Sequence, residues 1–317
     1  MSAERSSEKL FGGHRPPLQK IVFGSRGSEL ARTQTAMVVD GLRKSWPHLE
    51  IATEIISTRG DMQTAEPLDP RAGRKGLFTG EIESALAAGK IDVAVHSAKD
   101  LPSEMTAGLE LGAVLPRARV EDVLVSKTSG LGPIATGSVR RQYQLRWKFP
   151  GVEVVDDLRG NVPTRLRKLV ENDWRGIVLA RAGLERLGYD VGRGSFEFES
   201  SAFRAETLSP NDFLSAGGQG VIALQIRLED ENIRAVVGAI NHAETFSCLK
   251  AEREFLRLLQ GDCGSPVGVL ATISGSTMRM RAQVFMPPRI EPRMARVEGD
   301  SATPEKLARK LWEAING

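Results

Sequence analysis

An alternation runs through this chain: short runs rich in valine, isoleucine and alanine repeatedly give way to amphipathic stretches of helical length. Apolar runs of about four to eight residues bounded by turn residues read as strands, and apolar residues three and four apart read as helices. The spacing predicts strands over 20–24, 51–57 and 91–95, with helices over 29–46 and 79–88. A second set follows Pro133: a strand to 136, a helix from 139, strands over 152–155 and 176–180, and helices from 162 and to 187. Gly217-Gly218-Gln219-Gly220 then opens an apolar strand over 221–226. From about Glu231 the order changes to helices followed by strands over 267–273, 278–285 and 294–299 and a last helix over 304–315. Strands alternating with helices make an α/β fold, and the change of order marks a small α+β ending as a further domain.

At 317 residues the chain can bury more than one core. It contains no apolar run of about 18 residues, so no membrane span is expected. Residues 1–19 are polar and read as a flexible extension without a secretory signal. With only two cysteines, Cys248 and Cys263, the chain fits a reducing cytoplasm. A net charge of +3 and 5% aromatic residues do not suggest a nucleic-acid partner. The charge is uneven, however. Residues 140–186 hold 11 basic and six acidic side chains, so positive charge is concentrated in the middle third.

Three strand-to-helix turns place hydroxyl, amide or glycine residues beside arginine: Ser25-Arg26-Gly27-Ser28, Thr136-Gly137-Ser138-Val139-Arg140-Arg141 and Arg159-Gly160-Asn161-Val162-Pro163-Thr164-Arg165. Ser28, Ser138 and Asn161 suit N-caps, and Pro163 suits a first helical turn. Capping alone explains one such turn. Three of them, at strand ends where open α/β sheets bind ligands, point to a polyanion site, because helix N-termini and guanidinium forks both attract carboxylate or phosphate. Arg140 and Arg141 are expected at the surface, contributing mainly ligand charge.

Val95-His96-Ser97-Ala98-Lys99-Asp100-Leu101-Pro102 follows an apolar strand directly, which sets Lys99 and Asp100 on a loop at a sheet's C-terminal end. Asp100 there suits a general acid/base or a stabiliser of a cation, and equally an ordinary turn. Cys263 lies in Leu259-Gln260-Gly261-Asp262-Cys263-Gly264-Ser265-Pro266, a glycine-flanked turn that makes its thiol an accessible attachment point. Cys248, on a predicted helix, reads as core. His96 and His242 lack companions at metal-ligand spacing, and no dinucleotide fingerprint or P-loop occurs.

Together, His96-Ser97-Ala98-Lys99-Asp100-Leu101-Pro102, Arg159-Gly160-Asn161-Val162-Pro163-Thr164-Arg165-Leu166, Lys75-Gly76-Leu77-Phe78, Thr58-Arg59-Gly60-Asp61 and the Cys263 loop resemble the porphobilinogen deaminase (hydroxymethylbilane synthase) family, in order over residues 20–268. The resemblance implies two periplasmic-binding-protein-like domains around a cleft, 20–115 with 212–230 and 116–211, and a third domain, 231–317, carrying the cysteine loop. It implies a dipyrromethane cofactor joined by a thioether to Cys263. Four porphobilinogen units would be added with loss of ammonia and the linear tetrapyrrole released by hydrolysis, in a cytoplasmic monomer with no nucleic-acid or membrane partner. Asp100 matches the catalytic carboxylate, which stabilises the azafulvenium left by ammonia. Lys99, Thr136, Ser138, Arg140, Arg141, Arg159 and Arg165 match cofactor-binding positions. Arg26, Ser28, Arg186 and Lys75 match substrate-binding ones, Lys75 on a loop over the cleft. A non-catalytic anion- or pyrrole-binding paralogue would keep the arginine turns but need neither Cys263 nor Asp100.

The chain departs from the family pattern at several points. Ala135-Thr136-Gly137-Ser138-Val139-Arg140-Arg141 stands where Gly-Thr-Ser-Ser-Leu-Arg-Arg is usual, which removes a hydroxyl. Gly217 replaces valine, Gln225 replaces a glutamate, and Asp262 stands beside the thiol where glycine is common.

Overall fold

The computed structural model describes residues 19–58, 79–128, 130–156, 158–260 and 266–317. Residues 1–18 of the expected extension, the segment carrying Arg59, Asp61 and Lys75, and the loop carrying Asp262 and Cys263 lie outside the described residues.

The first sheet is built from β1 (Lys20–Ser25), β2 (Glu50–Ile55), β3 (Val93–Ser97), β4 (Leu109–Val114) and β11 (Ile222–Arg227), in the order β2-β1-β3-β11-β4. β1 runs parallel to β2 and β3, whereas β11, arriving from much later in the chain, lies antiparallel between β3 and β4. Ile21, Phe23, Val93, Val95, Leu224 and Ile226 fill its core with Val38 and Leu42 of helix α1 (Glu29–Ser45). The buried positions of α1, Gln34, Thr35, Val38, Val39 and Leu42, recur three and four apart, as 3.6-residue periodicity requires. Helix α2 (Gly80–Ala87) covers the other face through Ile82 and Leu86. Burying each such side chain contributes roughly 1.5–3 kcal/mol.

The second sheet has the order β7-β6-β8-β5-β10-β9. Its strands are β5 (Asp122–Ser126), β6 (Ile134–Ala135), β7 (Val154–Val155), β8 (Gly176–Ala180), β9 (Ser195–Phe198) and β10 (Ser201–Thr207). β6 is parallel to β7 and β8, and β5 is antiparallel to β8 and β10. Helices α3 (Val139–Lys148), α4 (Val162–Glu171) and α5 (Arg181–Arg186) pack on it through Leu145, Leu166 with Leu169, and Leu184. The chain therefore crosses between the two sheets twice, at residues 115–121 and 208–221. Each sheet has parallel strands interrupted by an antiparallel one, the periplasmic-binding-protein-like arrangement.

β12 (Val267–Ser274), β13 (Thr277–Phe285) and β14 (Pro292–Asp300) form an antiparallel meander. Helices α7 (Ala243–Leu258) and α8 (Pro304–Asn316) cover it, with Cys248 in that core, as its helical setting suggested. Helix α6 (Glu231–Gly238), expected with this last unit, instead sends Ile233, Val236 and Val237 into the core of the first sheet. The strands β4, β5, β9 and β10 are absent from the periodicity reading above, because they sit beside antiparallel neighbours without the strand-turn-helix punctuation that marked the others. Among the described residues no helix is long and apolar enough to cross a membrane.

Candidate active site between the first two sheets

β3 is buried from Val93 to His96 and passes straight into a single 3-10 turn, Ala98–Asp100. Pro102 disfavours helical backbone at the residue before it, and Leu101 is extended, so the turn stops there and leaves Lys99 and Asp100 at the strand's C-terminal end. Val221 holds the turn by accepting a hydrogen bond from the Ala98 N–H at 2.9 Å. Gly218 presses on it from the second crossing segment. Its φ is +75°, and a Cβ there would lie 2.9 Å from the Ala98 carbonyl carbon and 3.0 Å from the Lys99 nitrogen, so only glycine fits.

Lys99 and Asp100 are half-buried. Desolvation lowers the Lys99 ammonium to about 8, opposed by Asp100 and reinforced by Arg141. Arg165 is lowered to about 10 by burial first and then by Arg141, while Asp100 supports it and Arg159 and Arg26 add repulsion. These couplings bring Arg26, Lys99 and Asp100 of the first sheet together with Arg141, Arg159 and Arg165 of the second. Leu30, at the start of α1, also lies 3.6 Å from the position a Gly183 Cβ would occupy on α5.

Local structure explains how the arginines are presented. Asn161 caps α4 by accepting from the Thr164 N–H at 3.0 Å, and the Arg165 Nε donates to the Gly160 carbonyl at 2.7 Å. The Arg159 Nη1 donates to the Asp156 carbonyl at 2.7 Å. A Cβ on Gly137 would fall 2.0 Å from that same nitrogen, so the glycine departure opens the space the Arg159 guanidinium occupies. Ser28 caps α1, accepting from the Ala31 N–H at 3.3 Å, an interaction worth about 1 kcal/mol. Ser138 stands at the N-cap of α3 without a side-chain cap bond, and buried Thr136 accepts from the Ser138 N–H at 3.3 Å. Arg186 donates from Nη2 to the Gly220 carbonyl at 2.7 Å, and its buried Nε has no partner among the described residues.

Arg140 and Arg141 correct an expectation. They are not surface residues but 4% and 5% exposed. Both grip Asp122, which is fully buried at the start of β5, at 2.9 and 2.7 Å. Arg140 also donates to Gln144 and the Leu214 carbonyl, and Arg141 to the Val178 carbonyl. Burial opposes the Asp122 charge, but the two arginines outweigh it and hold the carboxyl well below its usual range. Gln219 completes the cluster by donating to Asp122 at 2.9 Å. Asp122 gave no sequence signal, since Glu121-Asp122 reads as a solvated acidic pair and only the sheet shows it pointing inward.

The pattern described as "Porphobilinogen deaminase, dipyromethane cofactor binding domain" matches residues 21–235, and "Porphobilinogen deaminase, C-terminal domain" matches residues 246–317. The chain belongs to the porphobilinogen deaminase family. Relatives bearing that name include one from Moorella thermoacetica, 40% identical over 92% of this chain and 91% of its own. Another, from Roseiflexus sp., is 42% identical over 84% of this chain and 86% of its own. Among solved structures, the methionine-binding protein MetQ is 12% identical over 72% of this chain and 92% of its own, with a TM-score of 0.42.

A porphobilinogen deaminase carries a dipyrromethane cofactor rich in carboxylates, and the described residues fit such a group. The strongest charges acting on Lys99 are those of Asp100, Arg141, Asp122 and Arg165, and the strongest on Arg165 are those of Arg141, Asp100, Arg159 and Arg26. Asp122 is already held by Arg140 and Arg141. Half-buried cations in excess of carboxylates favour an anionic ligand.

Proposed function

We propose that this chain is a hydroxymethylbilane synthase, a transferase that condenses four porphobilinogen units on a dipyrromethane primer and hydrolyses off the linear tetrapyrrole. The observation that carries this reading is one carboxylate, Asp100, set among cations drawn from both sheets. Cys263 is the proposed thioether attachment. Lys99, Arg159 and Arg165 clamp cofactor carboxylates, with Thr136 and Ser138 lining the turn beside them. Arg140 and Arg141 contribute field rather than free forks, because each gives Nη2 to Asp122 and Nη1 to a backbone carbonyl. Arg26, Ser28, Arg186 and Lys75 are the proposed substrate contacts.

When bound, the primer would supply the nucleophilic pyrrole carbon for the first unit, and each added ring would supply the one for the next. Asp100 faces the positive charge that develops as ammonia departs, and a fixed carboxylate in a partly desolvated site lowers the energy of that charge. Lys99, beside it, binds acidic side arms. Two units, 20–115 with 212–238 and 116–211, would close on the site, with 243–317 presenting the cysteine. A monomer in the cytoplasm, with no nucleic-acid or membrane partner, is the proposed setting.

Intact mass of freshly purified protein, followed by turnover with porphobilinogen, tests the reading. A dipyrromethane adduct that is lost in Cys263→Ser and kept in Cys248→Ser is expected, since burial raises the Cys248 thiol to about 12 and leaves it inert. An unmodified mass with no ammonia release would instead support a non-catalytic pyrrole binder.

A further inference from the structure

Behind the Asp100 turn, three polar side chains are sealed inside the first sheet. His96 on β3 is 4% exposed, Gln225 on β11 is 0% and Glu83 on α2 is 7%. The His96 Nε2 lies 3.0 Å from the Gln225 Oε1. The Gln225 Nε2 donates to one Glu83 oxygen at 2.8 Å, and the other accepts from the Thr106 hydroxyl at 2.8 Å. An amide nitrogen can only donate and a carboxylate only accept, so the amide is fixed with its oxygen toward the imidazole. The imidazole must then donate from Nε2, and a single proton satisfies the contact. A second ring proton would place a positive charge in the sheet four residues before Asp100.

We propose that Gln225 is a positioning residue: its amide oxygen fixes His96 in the Nε2-protonated tautomer and, being neutral where a carboxylate would recruit a second ring proton, leaves no imidazolium to compete for the negative charge of Asp100. The charged groups facing His96 are Glu83 from α2, Asp100 from the turn and Arg26 from the end of β1. Burial dominates them and lowers the imidazole to about 4. The inference rests on reading Asp100 as the reactive carboxylate, whereas the tautomer does not.

Histidine 15N NMR on the full-length holo protein, which has four histidines, tests the tautomer directly. The expected result is a neutral Nε2–H form of His96 from pH 8 down to about 5. An Nδ1–H form, or a midpoint near the ordinary 6.5, overturns the proposal. Kinetics test the coupling. Gln225→Glu sets a carboxylate against the imidazole and raises its proton affinity by about two to three pH units. The kcat of that variant relative to the parent should fall about threefold or more from pH 8 to pH 5.5 as an imidazolium forms beside Asp100. The new carboxylate also faces Glu83, so Gln225→Glu is repeated with His96→Asn, which should abolish the fall. A ratio that stays flat, or a fall that persists without the imidazole, overturns the proposal. Asp100→Asn, measured separately, decides the functional reading, so the two failures are distinguishable.

Discussion

Asp100 and Lys99 show how two adjacent residues divide one task. Asp100→Asn preserves volume and hydrogen bonding but removes the charge. Single-turnover ammonia release on holo protein, with the adduct checked by mass, should then fall about 10²-fold or more. Near-normal release would leave Asp100 an ordinary turn residue. Lys99 adds a pH dependence. Its ammonium is lowered to about 8, so it is charged below that value and loses the charge as pH rises through it. The dissociation constant of the apo protein for its carboxylate-bearing primer should therefore climb between about pH 7 and 9. In Lys99→Arg that climb should disappear, because a guanidinium stays charged throughout. The Lys-Asp-Leu-Pro motif was legible as chemistry. Its lowered lysine was not, because desolvation depends on neighbours from the second sheet.

At the scale of elements, the start of α3 joins β5 through a buried triad. Asp122 has two arginine partners and a glutamine, so Arg140→Leu would strip one cation from a fully buried carboxylate. Breaking a buried pair in this way costs about 3–5 kcal/mol, which a lowered thermal midpoint should report. An unchanged midpoint would return Arg140 to the surface role read from sequence. The pH sign follows from the depressed Asp122 carboxyl. The stabilisation is fully present above about pH 4 and is lost as pH falls through the lower folded value. Asp122→Asn should accordingly flatten the acid side of a stability profile. The helix start, its arginine pair and Ser138 were visible in the chain. The direction of the two side chains was not, because a helix beginning at a sheet edge offers one face to solvent and one to the strands.

Across the whole molecule, one carboxylate ties the three sheets together. Glu252 on α7 is 0% exposed and accepts from Arg117 at 2.5 and 3.1 Å, from the Gly218 N–H at 2.7 Å and from the Ala271 N–H at 2.8 Å. Arg117 lies on the first crossing segment and also donates from Nε to the Gln219 carbonyl on the second. Both crossings are thus fastened to the unit that carries the cysteine loop. Glu252→Ala leaves the Arg117 guanidinium and two N–H groups without their acceptor, and a loss of about 3–5 kcal/mol is expected by denaturant unfolding. Tyr143 and Trp147 of α3 pack on Phe285 of β13, with ring centroids 5.6 and 6.3 Å apart, a separate contact that the same variant should spare. A variant as stable as the parent would show that the crossings are held by backbone packing alone.

Strand and helix alternation, the Ser28 and Asn161 caps, the turn ended by Pro102 and the order of the family motifs are local or linear properties, so the sequence alone determined the fold class and the kind of chemistry. The insertion of β11 between β3 and β4, the burial of Arg140 and Arg141 on Asp122, and the His96-Gln225-Glu83 chain join residues 18 to 142 positions apart. No periodicity encodes such pairs. Only the tertiary structure decided them, because hydrogen-bond partners and desolvation belong to the packed core.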